Sequence, residues 1–230
     1  MIRRAFSALV VLVLLAGCGG SSAGVEEGKA QLWVTRDRGA EVLLDVQVDA
    51  GQTLMRALAG EGELETRYGG RYVQSIDGLA GSLENQRDWF WFVNGYEGDR
   101  SAASYRLRDG DIAWLDYRGW KREGEARVVV GTFPEPFVHG FAGRRRPGVV
   151  RFEPGFEERA RELARQTLAE SVEPLGTPVP EGANVLEVRS GPPRFVGELL
   201  GQTAGDPVLF TISGEPRFLH RYDVIGGAPS

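Results

Sequence analysis

Residues 88–93 hold the densest group of chemistry-bearing side chains in the sequence: Trp89, Phe90, Trp91, Phe92 and Val93 follow Asp88. Indole and phenyl rings this close together stack on flat apolar groups and make no bonds. Residues that make and break bonds are sparse. His139 and His220 are the only histidines, and neither has a second histidine at ligand spacing. Imidazole is a good ligand for cobalt, but a loop or half-buried polar position accounts for each of them. The single cysteine, Cys18, makes a poor disulfide candidate and does not support a cysteine-based metal cluster. Asp109 and Asp111 sit on a turn and alternate in direction, so they do not form an acid/base pair of glycosidase type. Phosphate-binding loops, dinucleotide fingerprints and nucleophile elbows are missing. Arg144, Arg145 and Arg146 read as a solvated loop. These residues describe a binding surface with no catalytic set and no metal site.

The elements that must position the aromatics are strands. Gln31 to Arg36 and Glu41 to Asp49 form a predicted hairpin around Arg38-Gly39, with Val42, Leu44, Val46 and Val48 alternating. A short helix follows, capped by Thr53, with Leu54, Ala57 and Leu58 on its apolar face and Gly60 at its end. Arg71 to Ile76 is the next strand, and Asp88 to Val93 follows it up to an Asn94-Gly95 turn. Tyr105 and Leu107 alternate up to a hairpin at Asp109-Gly110. Beyond it Ile112, Trp114 and Asp116 face opposite to Ala113, Leu115 and Tyr117. The continuous apolar run at 89–93 means either that both faces are covered or that one is a ligand surface. Trp89, Trp91 and Val93 cannot share a face with Phe90 and Phe92. Strand, strand, helix and three further strands form a β-grasp arrangement.

Residues 70–118 are also similar to a known family. The segments are Gly70, Tyr72, Val73, Ser75, Ile76 and Gly78; then Trp89, Phe92, Val93, Asn94 and Gly95; then Tyr105, Leu107, Asp109, Gly110 and Asp111; then Trp114 and Tyr117. This pattern resembles the transcobalamin-like C-terminal domain of bacterial lipoproteins, a soluble-ligand-binding β-grasp module. The resemblance implies binding of cobalamin or another soluble ligand. It nominates Tyr72, Val73, Trp89 and Trp91 as ligand contacts, with Ser75 and Asn94 as polar helpers. The large helical barrel that forms the other half of the site in animal cobalamin carriers has no counterpart in this sequence.

The N-terminus reads as an export signal. Arg3 and Arg4 precede an apolar run from Ala5 to Ala16 that is too short to span a bilayer. Leu15-Ala16-Gly17-Cys18 resembles a bacterial lipobox, which implies cleavage after residue 17 and lipidation of Cys18. The anticipated organisation is a signal at 1–17, a flexible tether at 18–30, a β-grasp domain at 31–118 and a second small α+β domain at 119–230. In that second part, 127–132, 149–152, 185–188, 208–212 and 218–225 read as strands. Phe156 to Leu168 has helical spacing, and 171–184, rich in proline and glycine, reads as loop.

Of 27 basic residues two leave with the signal, so 25 face 32 acidic ones, a net charge of −7. That balance argues against nucleic acid as a partner. The sequence therefore predicts a non-enzymatic α+β lipoprotein outside the cytoplasm, held to the bacterial membrane through Cys18. It would bind a soluble small molecule, with a corrinoid as the implied ligand and no required cofactor, and present it to a membrane uptake transporter. The competing reading is an interaction module whose aromatic β-grasp face or open sheet edge meets a protein or glycan.

Overall fold

The computed structural model describes residues 28–121 and 125–225, so the expected signal, Cys18 and most of the expected tether lie outside the described residues. The chain is sheet-rich α+β, with two short helices among the described residues. The first part contains β1 (Lys29–Arg36), β2 (Glu41–Asp49), α1 (Leu54–Glu61), β3 (Leu64–Arg67), β4 (Tyr72–Ile76), β5 (Leu79–Ala80), β6 (Arg87–Val93), β7 (Tyr96–Glu97) and β8 (Ile112–Gly119). The second contains β9 (Gly148–Phe152), α2 (Glu157–Gln166), β10 (Ser171–Pro174), β11 (Asn184–Arg189), β12 (Arg194–Leu199), β13 (Val208–Ser213) and β14 (Val224–Ile225).

The first sheet has the order β2-β1-β8-β6-β7. β1 pairs antiparallel with β2 and parallel with β8, placing Trp33 beside Trp114. β8 pairs antiparallel with β6 and sets Trp89 opposite Tyr117. Alternation then sorts the side chains. Trp33, Phe92 and Trp114 share one face, covered by Ala126, Val129 and Tyr222. Leu32, Val34, Ala113, Leu115 and Val93 share the other, against Leu54, Ala57 and Leu58 of α1. Thr53 caps α1 by accepting a bond from the Arg56 amide. A small separate sheet, β3-β4-β5, lies beside this layer.

The second sheet has the order β10-β9-β11-β13-β12-β14. Its first four strands run parallel, and β12 and β14 are antiparallel to their neighbours. α2 buries Ala160, Leu163 and Ala164. The apolar interiors of the two sheets are continuous. Tyr96 and Tyr105 meet Phe141 edge-on or tilted at 5.6 Å each, and Phe137 meets Phe210 at 5.5 Å.

Several predicted elements differ. The helix runs past Gly60 and ends at Gly62, whose amide bonds the Leu58 carbonyl. Tyr105 to Leu107 makes only an isolated bridge, between Arg106 and Thr53, because Tyr105 and Leu107 are buried beside the start of α1. Residues 127–132 also make a single bridge, Val128 to Tyr96, before the chain turns at Pro134 and Pro136. Part of the predicted loop at 171–184 is β10, an edge strand whose Pro174 stands at its end, where proline is tolerated. Of 218–225 only Val224 and Ile225 form a strand.

Candidate functional site

Trp89 and Trp91 reach the same side of β6 because strand alternation separates them from Phe90 and Phe92. Trp89 donates its indole N–H to the Leu79 carbonyl at 3.1 Å and leans on Tyr117 at 5.3 Å. Trp91 leans on Tyr105 at 5.5 Å. Both rings are half-buried, whereas Phe92 is fully enclosed on the opposite face. Gly98 sits against the Trp91 indole so closely that a Cβ there would come within 2.0 Å of the ring. The glycine leaves room for the indole to lie flat.

Tyr72 and Val73, at the start of β4, line a cleft of about 410 Å³ together with these two tryptophans. Tyr72 is 55% exposed and meets Tyr68 edge-on at 5.7 Å, so its ring forms an open wall. The rim is polar. Arg67 pairs with Asp88, and Arg100 pairs with Asp99 at 2.6 Å. Arg71 also lines the cleft, with no ion-pair partner among the described residues. Ser101 donates from its hydroxyl to the Arg71 carbonyl, which ties the 97–102 loop to the entrance of β4. At the far end the Glu97 carboxyl is pushed up by burial, against the opposing pull of Arg118 and Arg127.

Four of the six residues nominated from the sequence thus meet in one cleft: Tyr72, Val73, Trp89 and Trp91. The structure does not bring Ser75 or Asn94 to it. Ser75 is buried and donates to Glu65 of the neighbouring strand at 2.9 Å. Asn94 is enclosed at the β6–β7 turn with a φ of 49°, a conformation asparagine tolerates. Its amide donates to Asp111 and to the Gly140 carbonyl at 2.8 Å each, and its oxygen accepts from the Ile112 amide. Sequence reasoning missed the rim residues Arg67, Arg71, Asp88 and Glu97. They sit on turns and strand ends, where periodicity gives no signal; the Arg67 and Asp88 charges flanking the aromatic strands were the available clue.

Among the described residues no group of three or more histidine, cysteine or carboxylate side chains could hold a metal ion. His139 pairs through Nδ1 with buried Glu135 at 2.5 Å. His220 packs edge-on to Trp33 at 4.3 Å. No described helix is long and apolar enough to cross a membrane.

Residues 51–119 match a family described as "Domain of unknown function (DUF4430)". No similar protein was found among curated proteins. Among solved structures, the chain is similar to a "putative metal binding protein" from Ruminococcus gnavus ATCC 29149. The two are 20% identical, with a TM-score of 0.35, over 41% of this chain and 99% of the other. It is also similar to haptocorrin in complex with Cbi. That pair is 18% identical, with a TM-score of 0.34, over 41% of this chain and 26% of haptocorrin, so the match spans about a quarter of that protein.

Proposed function

We propose that this protein is a non-enzymatic, soluble-ligand-binding component of the bacterial cell envelope. Its first part is read as a β-grasp module. The β1/β2 hairpin, α1 across one face and the last strand lying parallel to the first support that reading. The observation that carries the function is the cleft in which Tyr72, Val73, Trp89 and Trp91 converge under a charged rim. Its volume of about 410 Å³ falls within the range of small-molecule sites. Half-buried indoles present flat apolar walls to a planar ligand body, and rim arginines donate to its carbonyl or anionic edge.

A corrinoid fits this chemistry, with a flat macrocycle edged by amides, and is the ligand implied by the sequence resemblance. A corrinoid is larger than the cleft, so the cleft grips part of it. Lipidation at Cys18 would hold the protein outside the cytoplasm at the membrane, where it hands the ligand to an uptake transporter. The test is a titration of the mature protein with cobalamin and cobinamide, followed by tryptophan fluorescence and the corrinoid absorption spectrum. Saturable changes are expected, and Trp91→Ala should weaken binding at least tenfold, about 1.4 kcal/mol. Unchanged fluorescence and absorption at tens of micromolar corrinoid would rule that ligand out.

A further inference from the structure

A second hollow of about 630 Å³ lies across the β6–β7 edge from the first, on the Phe90 side of the sheet, and Phe90, Glu97, Gly98 and Asp99 line both. The far side of the second hollow belongs to the other sheet: Gln202, Thr203 and Ala204 stand on the β12–β13 loop. That loop is held in shape and in place. Asp206 accepts from the amides of Gln202 and Thr203 at 2.9 Å each and from the Thr203 hydroxyl at 3.0 Å. Tyr96 of β7 donates to the Asp206 carbonyl at 2.8 Å, and Arg127 donates to the Gln202 carbonyl. The wall is therefore fixed to the strand that carries Glu97, which reduces the ordering cost on binding.

The two hollows differ in chemistry. The first is walled by indole and phenol rings. The second is lined by groups of both signs, Glu97, Asp99 and Glu125 against Arg127, 3.8 Å from Glu97, with the polar loop and Trp120 at the sides, while Arg118 is buried and stacked 3.8 Å over Phe90. We propose that the hollows form one bipartite ligand groove, in which the C-terminal half supplies the second wall. The ligand is amphipathic. Its flat apolar body lies on Trp89 and Trp91, and a polar extension with donors and acceptors runs past Glu97 toward Gln202.

This inference rests on the ligand-binding reading of the first cleft, and the experiment separates the two. Cobalamin carries a nucleotide tail as a polar extension; cobinamide lacks it. Calorimetric titration of the full mature protein should show cobalamin binding at least tenfold more tightly than cobinamide. Gln202→Trp fills the second hollow while keeping the loop's backbone bonds. It should remove that tenfold advantage and leave cobinamide affinity within about twofold of the wild type. Trp91→Ala should weaken both. If circular dichroism shows Gln202→Trp misfolded, Trp120→Ala carries the same expectation from the opposite side of the hollow. Equal wild-type affinities, or cobalamin affinity untouched by a folded variant, would overturn the bipartite groove and leave the first cleft standing. Failure of the wild type to bind either corrinoid would overturn both.

Discussion

Asp111 shows how a residue at the edge of the family-like motif supports the fold. Its carboxyl is almost fully enclosed. It accepts from the Asn94 amide at 2.8 Å, the Arg108 backbone N–H at 2.9 Å and the Tyr105 hydroxyl at 3.2 Å. Burial nevertheless outweighs these bonds and raises its pKa above the ordinary aspartate value. Buried Glu135 is raised for the same reason, against its bonds from His139. The sign follows from proton linkage. A carboxyl with a raised native pKa binds more protons folded than unfolded, so its contribution is fully present below the unfolded pKa, about 4. It is lost as pH rises through the raised native value. Asp111→Asn should therefore flatten the fall in unfolding free energy between that pH and neutrality, as read by urea melts across the interval. An unchanged slope would show that Asp111 titrates normally. Asn94 belongs to the same cluster, where its amide bonds the Asp111 carboxylate and its oxygen accepts from the Ile112 amide.

At the scale of elements, the segment ending in β14 covers the first sheet. Tyr222 packs on Trp114 at 5.2 Å and Phe92 at 5.1 Å, and its hydroxyl donates to buried Asp116 at 3.0 Å. Asp116 also accepts from the Thr35 hydroxyl and from the Arg38 and Gly39 amides. Tyr222→Phe should cost about 1.5–3 kcal/mol, the range for a hydrogen bond to a charged group. Tyr222→Ala should cost about 3–5 kcal/mol, since it also leaves a cavity against two aromatic rings. Denaturant midpoints of both variants measure the difference, and equal losses would exclude a packing role for the ring. This cover was not visible in the sequence, because Phe218 to Ile225 reads as a strand by composition while its role is set by a partner far away in the chain. Elements with their own period were legible: the β1/β2 hairpin, α1 with its Thr53 cap, β6, β8 and the α2 stripe. β12 was not, because Gly197 interrupts it. The glycine is needed there because a Cβ would sit 2.8 Å from the Phe210 ring. In the site, alternation along β6 revealed which aromatics travel together. The charged rim came from turns that only the folded chain brings near.

Across the whole molecule, the two sheets are joined by shared surfaces on both sides of the 125–147 connection. Trp33, Phe92 and Trp114 are covered by Ala126, Val129 and Tyr222 from beyond β8. Tyr96 and Tyr105 of the first part pack on Phe141, and the Asn94 amide bonds the Gly140 carbonyl. Large aromatics exposed by removing that cover would form a contiguous apolar patch, which a folded soluble unit of fewer than a hundred residues rarely tolerates. The halves should therefore unfold together. Urea denaturation of the protein, followed by both tryptophan fluorescence and far-UV dichroism, is expected to give coincident single transitions. All five tryptophans lie at or before residue 120. Fluorescence thus reports the first sheet and the cover on its tryptophans, while dichroism reports both sheets in full, so separate folding would split the two curves. A fragment ending at Gly119 should bind a hydrophobic dye and aggregate, since it keeps the aromatic faces and loses their cover. Two resolved transitions, or a monomeric fragment with native-like fluorescence, would instead make the second sheet an independent domain. In that case the second wall of the proposed groove would depend on docking between domains.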